Sequence, residues 1–338
     1  MKKRIIIMTA VMLLVSAFTA CGSIYGPKEE ANDQEQASQG QETIREEAHK
    51  EVYYLVGMHI ILPYWQDHRS GLEAAAQELG VDVIFTGENG SDALRQLDIF
   101  EQVLKEKPAG ILVCPIDKEA MVEPINRAMS MGIPVICIDN DAPDSNRLTY
   151  IGTDNYLSGY LAGDIIGNKL GGVGDVAILT MRGIYSLDER QRGFEECIKS
   201  KYPDINIVAV MNDKADPSTA ANIAEQMFID YPSIVGLFGT NAASGVGAAI
   251  ALSENQKLGE VKVVAFDKDS EVLELVEQGK IEATLVQRTF TMSYYGLKLL
   301  FDYNHISQLK NDLKVSLMPN AVDTGIIVVT KENVDDFL

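Results

Sequence analysis

The sequence has few basic residues, one tryptophan and few long apolar runs. Its 338 residues contain 29 lysines and arginines against 49 aspartates and glutamates, which gives a formal net charge of −20. Proteins that bind nucleic acid need basic patches that displace counterions from the phosphates, so this balance argues against a nucleic-acid partner. A hydrophobic fraction of 46% excludes a wholly disordered chain and a generally membrane-embedded one.

Motifs of common catalytic chemistry are also missing. The patterns Gly-x-Ser-x-Gly and His-Glu-x-x-His do not occur. Residues 245–247, Gly-Val-Gly, lack the third glycine of a dinucleotide loop, and the glycines of 171–174 precede a predicted strand instead of following one. We therefore expect neither an enzyme nor a bound cofactor or metal. Three of the four cysteines show no metal-ligand spacing and are interpreted as buried thiols: Cys114, Cys137 and Cys197.

The N-terminus carries an uncharged apolar run, residues 5–20, behind three basic residues. The run is short for a membrane span of about 20 residues but typical of a secretory signal. Residues 18–21, Phe-Thr-Ala-Cys, resemble the lipobox of bacterial lipoprotein precursors, with phenylalanine in place of the more usual leucine. The resemblance implies that residues 1–21 are a lipoprotein signal peptide with its lipobox cysteine, that cleavage occurs before Cys21, and that a lipid on the Cys21 sulfur holds the protein at a membrane. The alternative is an ordinary signal peptide with a chance cysteine.

Residues 22–50 differ in composition from the rest of the chain. They are rich in glycine, serine, glutamine and glutamate and contain few large apolar side chains. Such a segment cannot bury enough apolar surface to fold, so it is predicted to be a disordered acidic tether.

From Glu51 onward, strand-like and helix-like segments alternate. The apolar run 134–138 suits a strand buried on both faces of a parallel sheet, and it stops at Asp139; the run 261–266 has the same form and stops at Asp267. Ligands of open α/β sheets bind beyond the carboxyl ends of the strands, so the two aspartates are expected to face one ligand. The alternation predicts βαβ units and parallel sheets with helices on both faces.

Two such series predict an α/β fold of two Rossmann-like, doubly wound lobes. The first lobe is predicted to contain residues 51–153 and 288–318, and the second lobe residues 154–287 and 319–338. The segments after Gln287 are too few for a third domain, so they are expected to return to the two lobes and form a hinge of several crossings. They include a predicted helix at 291–303 and predicted strands at 313–317 and 324–330.

This order of elements resembles the type I periplasmic binding proteins, in particular the ribose- and galactose-type sugar-binding proteins of ABC importers. The resemblance extends from about residue 52 to residue 329. It rests on several motifs in the family's order: Pro63-Tyr64-Trp65, 134–139, 151–155 with Gly159, 190–194, Asn241, 264–267 and 283–287. Any one of these motifs alone is weak, whereas their shared order is specific.

The resemblance implies a receptor without catalytic activity that captures a small sugar between its lobes. It implies delivery of that sugar to an ABC transporter permease or, in the alternative, signalling through a sensor kinase or chemoreceptor. It also implies an extracytoplasmic location at the bacterial cell membrane, with the lipid anchor as the only contact with the membrane.

A sugar has hydroxyls at its rim and C–H groups on its faces, and the residues of these motifs suit both. Aromatic planes pack against the faces, while carboxylates, amides and guanidinium groups hydrogen-bond to the rim. The predicted ligand-binding residues are therefore three aromatic side chains and six polar ones: Tyr64, Trp65 and Phe266, then Asp139, Asn140, Arg190, Asn241, Asp267 and Gln287.

Several of these residues also have a structural interpretation. Trp65 could be a core or surface aromatic. Arg190 could pair with a glutamate of its own helix while Arg192 contacts the ligand. Asp267 could cap the helix that follows it, and Gln287 could do no more than stabilise a hinge crossing.

The chain departs from the sugar-binding pattern mainly in the first lobe. Leu62 stands where ribose-type members often have an asparagine, Asn140 where an arginine is common, and Met58 and His59 where small polar residues end the first strand. In the second lobe, Ala215 occupies a position that often carries an aromatic. Fewer polar contacts in the first lobe favour a less hydroxylated ligand, a different sugar, or contacts through water.

Overall fold

The computed structural model of the chain describes residues 50–257, 259–306 and 318–338. The predicted signal peptide with Cys21, the predicted tether up to residue 49 and the strand predicted at 313–317 lie outside these ranges. Across the described ranges, none of the helices combines the length and the apolar character that crossing a membrane requires.

The described chain alternates between strands and helices from its start. The elements up to residue 152 are β1 (Val52–Gly57), α1 (Trp65–Leu79), β2 (Asp82–Gly87), α2 (Ala93–Lys105), β3 (Gly110–Val113), α3 (Val122–Ser130), β4 (Val135–Ile138) and β5 (Tyr150–Gly152). The next series is α4 (Asn155–Lys169), β6 (Val173–Thr180), α5 (Tyr185–Lys201), β7 (Asp204–Asn212), α6 (Pro217–Asp230), β8 (Ile234–Gly239), α7 (Ala242–Glu254), β9 (Lys262–Phe266), α8 (Ser270–Glu277) and β10 (Ala283–Gln287). The chain then forms α9 (Thr289–His305), β11 (Ala321–Asp323), β12 (Ile326–Val329) and a short 3₁₀ turn at Val334–Asp336.

The strands form two six-stranded sheets, one in each lobe. The first sheet has the order β11-β5-β4-β3-β1-β2 and all its pairings are parallel. The second has the order β12-β10-β9-β8-β6-β7, and only its edge strand β12 runs antiparallel to its neighbour. Each sheet has a hydrophobic core on both faces, so the predicted pair of doubly wound α/β lobes is confirmed.

Three crossings join the two sheets: β5 to α4, β10 to α9, and β11 to β12. Hydrogen bonds tie the crossings to one another. Thr153 Oγ1 donates to Gln287 Oε1 at 3.0 Å, the backbone N–H of Asp154 donates to Asp323 Oδ1 at 3.0 Å, and that of Thr324 donates to the carbonyl of Gly152 at 2.8 Å. The three segments therefore form one hydrogen-bonded hinge.

Strand β11 corrects one boundary of the sequence-based division. The sequence assigns all of 319–338 to the second lobe, whereas β11 pairs with β5 in the first sheet, with Val322 opposite Ile151. The return to the second lobe comes at Thr324 and Gly325, and β12 then pairs with β10. The strand has only three residues, too few for its sequence pattern to reveal its sheet.

The other elements differ from prediction mainly at their ends. The sequence pattern predicts helices over 69–79, 188–199 and 270–277 and a strand over 234–239. Helix α8 and strand β8 have these bounds, whereas α1 begins at Trp65 and α5 at Tyr185. Both helices begin about one turn earlier than the sequence pattern indicates. The three cysteines beyond the N-terminal segment are free and buried, as predicted.

Candidate ligand-binding cleft

The two sheets place an aspartate at equivalent positions. Asp139 follows β4 and Asp267 follows β9, and each of these strands is the third from the hinge edge of its sheet. Both residues have a left-handed backbone, with φ of 64° and 70°. This conformation is unfavourable for a residue with a side chain and is concentrated at functional sites. At each strand end the chain thus leaves the sheet at a carboxylate.

A chain of hydrogen bonds connects these two aspartates. Tyr64, just before α1, donates its hydroxyl to Asp139 Oδ1 at 2.6 Å. Gln287, at the end of β10, donates from Nε2 to the Tyr64 oxygen at 3.2 Å and to Asp267 Oδ1 at 2.9 Å. A hydroxyl is therefore held between a carboxylate and an amide, which is how a protein holds a hydroxyl of a polyol.

Burial shifts the protonation of both Tyr64 and Asp267. Burial, followed by the nearby carboxylates of Asp139 and Asp267, raises the pKa of the Tyr64 phenol well above its ordinary value, so the phenol stays a donor. Burial also raises the pKa of Asp267 from 3.8 to about 6, against the opposing effects of the Arg190 guanidinium and the Gln287 amide. Asp267 is therefore ionised at neutral pH but becomes protonated in mild acid.

Arg190 lies on α5 and is fixed by close packing of that helix against α4. A Cβ on Gly159 would lie 1.8 Å from the Arg190 carbonyl oxygen, and one on Gly193 would lie 1.9 Å from the Tyr156 carbonyl oxygen, so only glycine permits this approach. The guanidinium donates from Nε to Asn155 Oδ1 and from Nη1 to the Thr240 carbonyl, both at 2.9 Å.

The same guanidinium is almost fully buried and covers an aromatic ring. Arg190 is 2% exposed, and its Cζ lies 3.8 Å from the centre of the Phe266 ring. Within the described part of the chain, the hydrogen bonds of this guanidinium use Nε and Nη1, so Nη2 remains as a donor on a side chain that lines the cavity.

Two adjoining cavities lie between the lobes at the carboxyl ends of the strands. One has a volume of about 130 Å³ and is lined by Asp139, Asn140, Arg190 and apolar side chains of both lobes. The other, about 160 Å³, is lined by Asp267 and residues near the hinge. Tyr64 and Gln287 line both cavities, so the hydrogen-bonded chain separates them.

Contacts across the cavities show the lobes in a closed arrangement. Asn140 of the first lobe accepts on Oδ1 a hydrogen bond from the backbone N–H of Ser186 in α5, at 3.1 Å, and it is 2% exposed. At the mouth of the cleft, Lys268 Nζ lies 2.5 Å from Asp67 Oδ2 on α1. One buried hydrogen bond thus joins the lobes across the cavity of about 130 Å³, and one more exposed ion pair joins them beside the crossing from β10 to α9.

Seven of the nine predicted binding residues line these cavities; the other two do not. Phe266 is fully buried, with one face under Arg190 and its edge near Phe238 in the core of the second lobe. It supports the guanidinium and offers no surface for stacking on a ligand. Asn241 caps α7 by accepting from the Ser244 N–H at 3.1 Å. Its Nδ2 is buried and, among the described residues, has no acceptor.

The structure also separates the alternatives left open by the sequence. Arg192 points outward and pairs with Glu189 on its own helix at 2.5 Å, whereas Arg190 lines the cavity. Asp267 does not cap α8, because the N-cap position is occupied by Asp269. Gln287 has both of the roles considered, at the hinge and in the cleft. Its Oε1 accepts a hydrogen bond from Thr153 at the hinge, and its Nε2 donates one to Asp267 in the cleft. Trp65 is 2% exposed and still lines the cavity.

Sequence reasoning missed two groups of residues at the site. One group supports polar side chains: Asn155 and Thr240 hold Arg190, and His68 packs 4.5 Å from Trp65 while bonding through Nδ1 to Ser293. The other group lines the cavity from the segment after β6: Met181, Ile184, Ser186 and Leu187. For the first group, position in the chain is the only sequence signal. The second group lies in a loop and at a helix start, where no periodic pattern indicates which residues face the cavity.

A cleft between two α/β lobes, with paired carboxylates, a guanidinium, amides and an aromatic wall, defines a two-lobed protein for binding a small polar molecule. The comparison with known proteins agrees. The family model described as periplasmic binding protein domain matches residues 54–305. The chain belongs to the periplasmic binding protein family.

Relatives and solved structures of this family carry specific names. The D-allose-binding periplasmic protein of Escherichia coli K12 is 31% identical over 250 residues, which cover 71% of this chain and 80% of the relative. The structure of a sugar ABC transporter sugar-binding protein from Bacillus halodurans aligns with a TM-score of 0.79 and 35% identity, covering 85% of this chain and all of that one. A chain of the XylFII-LytSN complex aligns with a TM-score of 0.74 and 30% identity, covering 84% of this chain and 98% of that one.

Proposed function

We propose that the protein is an extracytoplasmic solute-binding lipoprotein that captures a small sugar between its lobes and delivers it to an ABC transporter. The observation that carries this proposal is the convergence of Asp139, Arg190, Gln287 and the Tyr64–Trp65 pair on one interlobe cavity, with Asp267 in the adjoining one. Charged acceptors and donors form the stronger hydrogen bonds to hydroxyls, and the aromatic wall suits the C–H face of a sugar.

Closure of the two lobes connects binding with delivery. A sugar that contacts both lobes binds the closed form better than the open form, so it shifts the equilibrium toward closure. The Asn140–Ser186 hydrogen bond and the Lys268–Asp67 ion pair form only when the lobes meet. A closed surface that includes both lobes then reports occupancy to a membrane partner. Catalysis is not part of this function.

The ligand is tested by a panel of monosaccharides in thermal-shift and calorimetric measurements. We expect saturable binding of one monosaccharide per chain and loss of binding in Asp267→Ala and Arg190→Ala, while Arg192→Ala, on the outer side of the same helix, retains it. Absence of heat and of a thermal shift across pentoses, hexoses and their deoxy forms would exclude a monosaccharide ligand.

The lipid anchor is a separate part of the proposal. Cys21 at the end of the apolar N-terminal run is proposed to carry the lipid, and residues 22–50 to tether the lobes to it. With a root-mean-square reach of roughly 30 Å for about 29 flexible residues, the lobes work away from the membrane surface. Metabolic labelling with a palmitate analogue should mark the wild type and not Cys21→Ser; unlabelled wild type would contradict the anchor.

A second candidate function is sensing. It is supported by the XylFII-LytSN complex, in which a chain of this fold is bound to a second protein. In this alternative, the closed form acts on a sensor kinase or chemoreceptor instead of a permease. Neighbouring genes for a permease and an ATPase support transport, and a neighbouring kinase gene supports sensing. Uptake of labelled sugar that depends on this chain decides for import.

A further inference from the structure

The lobes present a second matched pair of residues in the cleft. Met58 directly follows β1, the fifth strand of the first sheet counted from the hinge edge, and Met181 directly follows β6, the fifth strand of the second. Both methionines line the cavity of about 130 Å³. They lie two strand positions farther from the hinge than Asp139 and Asp267, at what we name the distal end of the cleft.

The other side chains from these segments make the distal end largely apolar. Leu62 comes from the loop after β1, and Ile184 and Leu187, each 7% exposed, come from the segment after β6. His59 and Ser186 are the polar exceptions, and one imidazole and one hydroxyl offer few hydrogen bonds compared with the groups at the hinge end. The hinge end, by contrast, has two carboxylates, a guanidinium and the Gln287 amide.

The nearest amide does not add polarity to the distal end. Asn140 uses Oδ1 for the Ser186 N–H at 3.1 Å, and its Nδ2 is directed to Met58 Sδ at 3.5 Å. The amide is therefore occupied by one contact to the second lobe, at Ser186, and one within its own lobe, at Met58. A thioether sulfur is at best a weak acceptor, so the methionines offer little to a hydroxyl.

We infer that the sugar places its hydroxyl-rich edge toward the hinge and a hydroxyl-free edge against Met58 and Met181, and that it is an aldopyranose without a 6-hydroxyl, either a pentose or a 6-deoxyhexose. This inference rests on the proposed function and names the substrate class of the same site. The methylene of a pentopyranose or the methyl of a 6-deoxyhexose buries apolar surface against the methionines.

A hydroxymethyl group at the same place loses its water without gaining a strong partner. An apolar pocket discriminates against an added hydroxyl by up to about 100-fold, and one methylene changes binding by at least about tenfold. We therefore expect the hexose to bind about 10- to 100-fold more weakly than its counterpart without the 6-hydroxyl.

The test is isothermal titration with three stereochemical series whose members differ only at the C5 substituent. The series are L-arabinose, D-fucose and D-galactose; D-xylose, 6-deoxy-D-glucose and D-glucose; and D-ribose, 6-deoxy-D-allose and D-allose. In the series that binds, the hexose should be the weakest member. A hexose that binds as tightly as its counterparts overturns this inference and leaves sugar binding intact. No heat from any of the nine also overturns this inference, whereas the proposed function falls only if the wider panel of pentoses, hexoses and deoxy forms gives no heat either.

The variant Met181→Gln tests whether the distal end of the cleft causes the weaker binding of the hexose. Glutamine has nearly the length of methionine and supplies an amide, and Met181 is partly exposed, so folding tolerates the change. The ratio between the sugars should fall to about threefold or less as the hexose gains a partner. Met131→Gln, at a 50% exposed position at the end of α3, is the matched control and should leave the ratio unchanged. An unchanged ratio in folded Met181→Gln overturns the assignment.

Discussion

Asp139 and Asp267 occupy the same position in their lobes, yet their carboxylates have different surroundings. Asp139 accepts a hydrogen bond from the Tyr64 hydroxyl on Oδ1 and a weaker one from the Cys114 thiol on Oδ2, at 3.5 Å. Asp267 accepts one from Gln287 on Oδ1, and among the described residues no donor reaches its Oδ2. The first lobe thus satisfies its own carboxylate, whereas the second leaves an oxygen for a ligand.

The same contrast extends to the cations. Arg190 belongs to the second lobe and lines the cavity, while the residue after Asp139 in the first lobe is the uncharged Asn140, which is engaged with Ser186. Binding strength should therefore reside mainly in the second lobe, and closure should depend on the first. Five measurements test this division, from the largest expected effect to the smallest.

Arg190→Ala should have the largest effect, because it removes two buried hydrogen bonds and the cover of Phe266 together with the proposed ligand contact. Hydrogen bonds to charged groups contribute about 1.5–3 kcal/mol each, so we expect the unfolding free energy to fall by about 3 kcal/mol or more. Sugar binding should be lost. Chemical denaturation and calorimetry measure both, with Arg192→Ala, which should change neither, as the control.

Asp267→Asn should weaken binding by about 100-fold, the equivalent of one or two charge-assisted hydrogen bonds. Asp139→Asn should weaken sugar binding less, because the Asp139 carboxylate already accepts hydrogen bonds from Tyr64 and Cys114. Titration calorimetry of the two variants compares the lobes directly. Equal losses in both variants would show that the lobes share the ligand evenly.

The pH dependence follows from the pKa of Asp267, which is raised to about 6 in the folded chain from an ordinary 3.8. Between these values the folded state binds more protons than the unfolded state, so unliganded stability falls as pH rises, by roughly 3 kcal/mol at most. Affinity should move the other way and weaken by up to about tenfold per pH unit below 6, because the protonated acid is a poorer acceptor. Asp267→Asn should lack both dependences. A wild-type affinity that stays constant between pH 7 and 5 would contradict the role of Asp267.

Asn140→Ala should weaken binding by about threefold to tenfold, the contribution of one buried neutral hydrogen bond. Its expected mechanism is loss of closure, because the amide bonds to the opposite lobe. Small-angle X-ray scattering of the unliganded variant should give a larger radius of gyration than that of the unliganded wild type. An unchanged radius together with weakened binding would indicate direct contact with the ligand instead.

Lys268→Ala should have the smallest effect, about twofold at low salt, since exposed ion pairs contribute little. The side chains of Lys268 and Asp67 are 46% and 39% exposed. The effect should disappear at high salt, where exposed charges are screened. Titrations at two salt concentrations measure this, and Lys280→Ala, in the turn after α8, serves as a control.

The sequence was most informative where long segments carry a pattern. The apolar run 134–138 ending in a carboxylate predicted both a buried strand and the position of Asp139, because a parallel strand buried on both faces reads as a continuous apolar run. The glycine after α8 and the apolar run of β8 marked the bounds of those elements. Strands β5 and β11 have three residues each, so no period of two can show in them.

Phe266 shows the limit for site residues. In a strand, neighbouring side chains point to opposite faces, but a run that is apolar throughout does not indicate which residue at its end turns toward the cleft. Asp267 turns to the cavity and Phe266 to the core. Met181 and Ser186 could not be predicted either, since they reach the site from a loop and a helix start that carry no periodic pattern.

The last crossing of the hinge makes both lobes depend on one short segment of the chain. Strands β11 and β12 are the edge strands of different sheets, and only two residues separate them. Both come near the end of the chain, at 321–323 and 326–329. Neither sheet is complete without these residues, so one short segment supplies an edge strand to both lobes. A chain truncated at residue 320 would lose one strand from each lobe, and the damage would reach both.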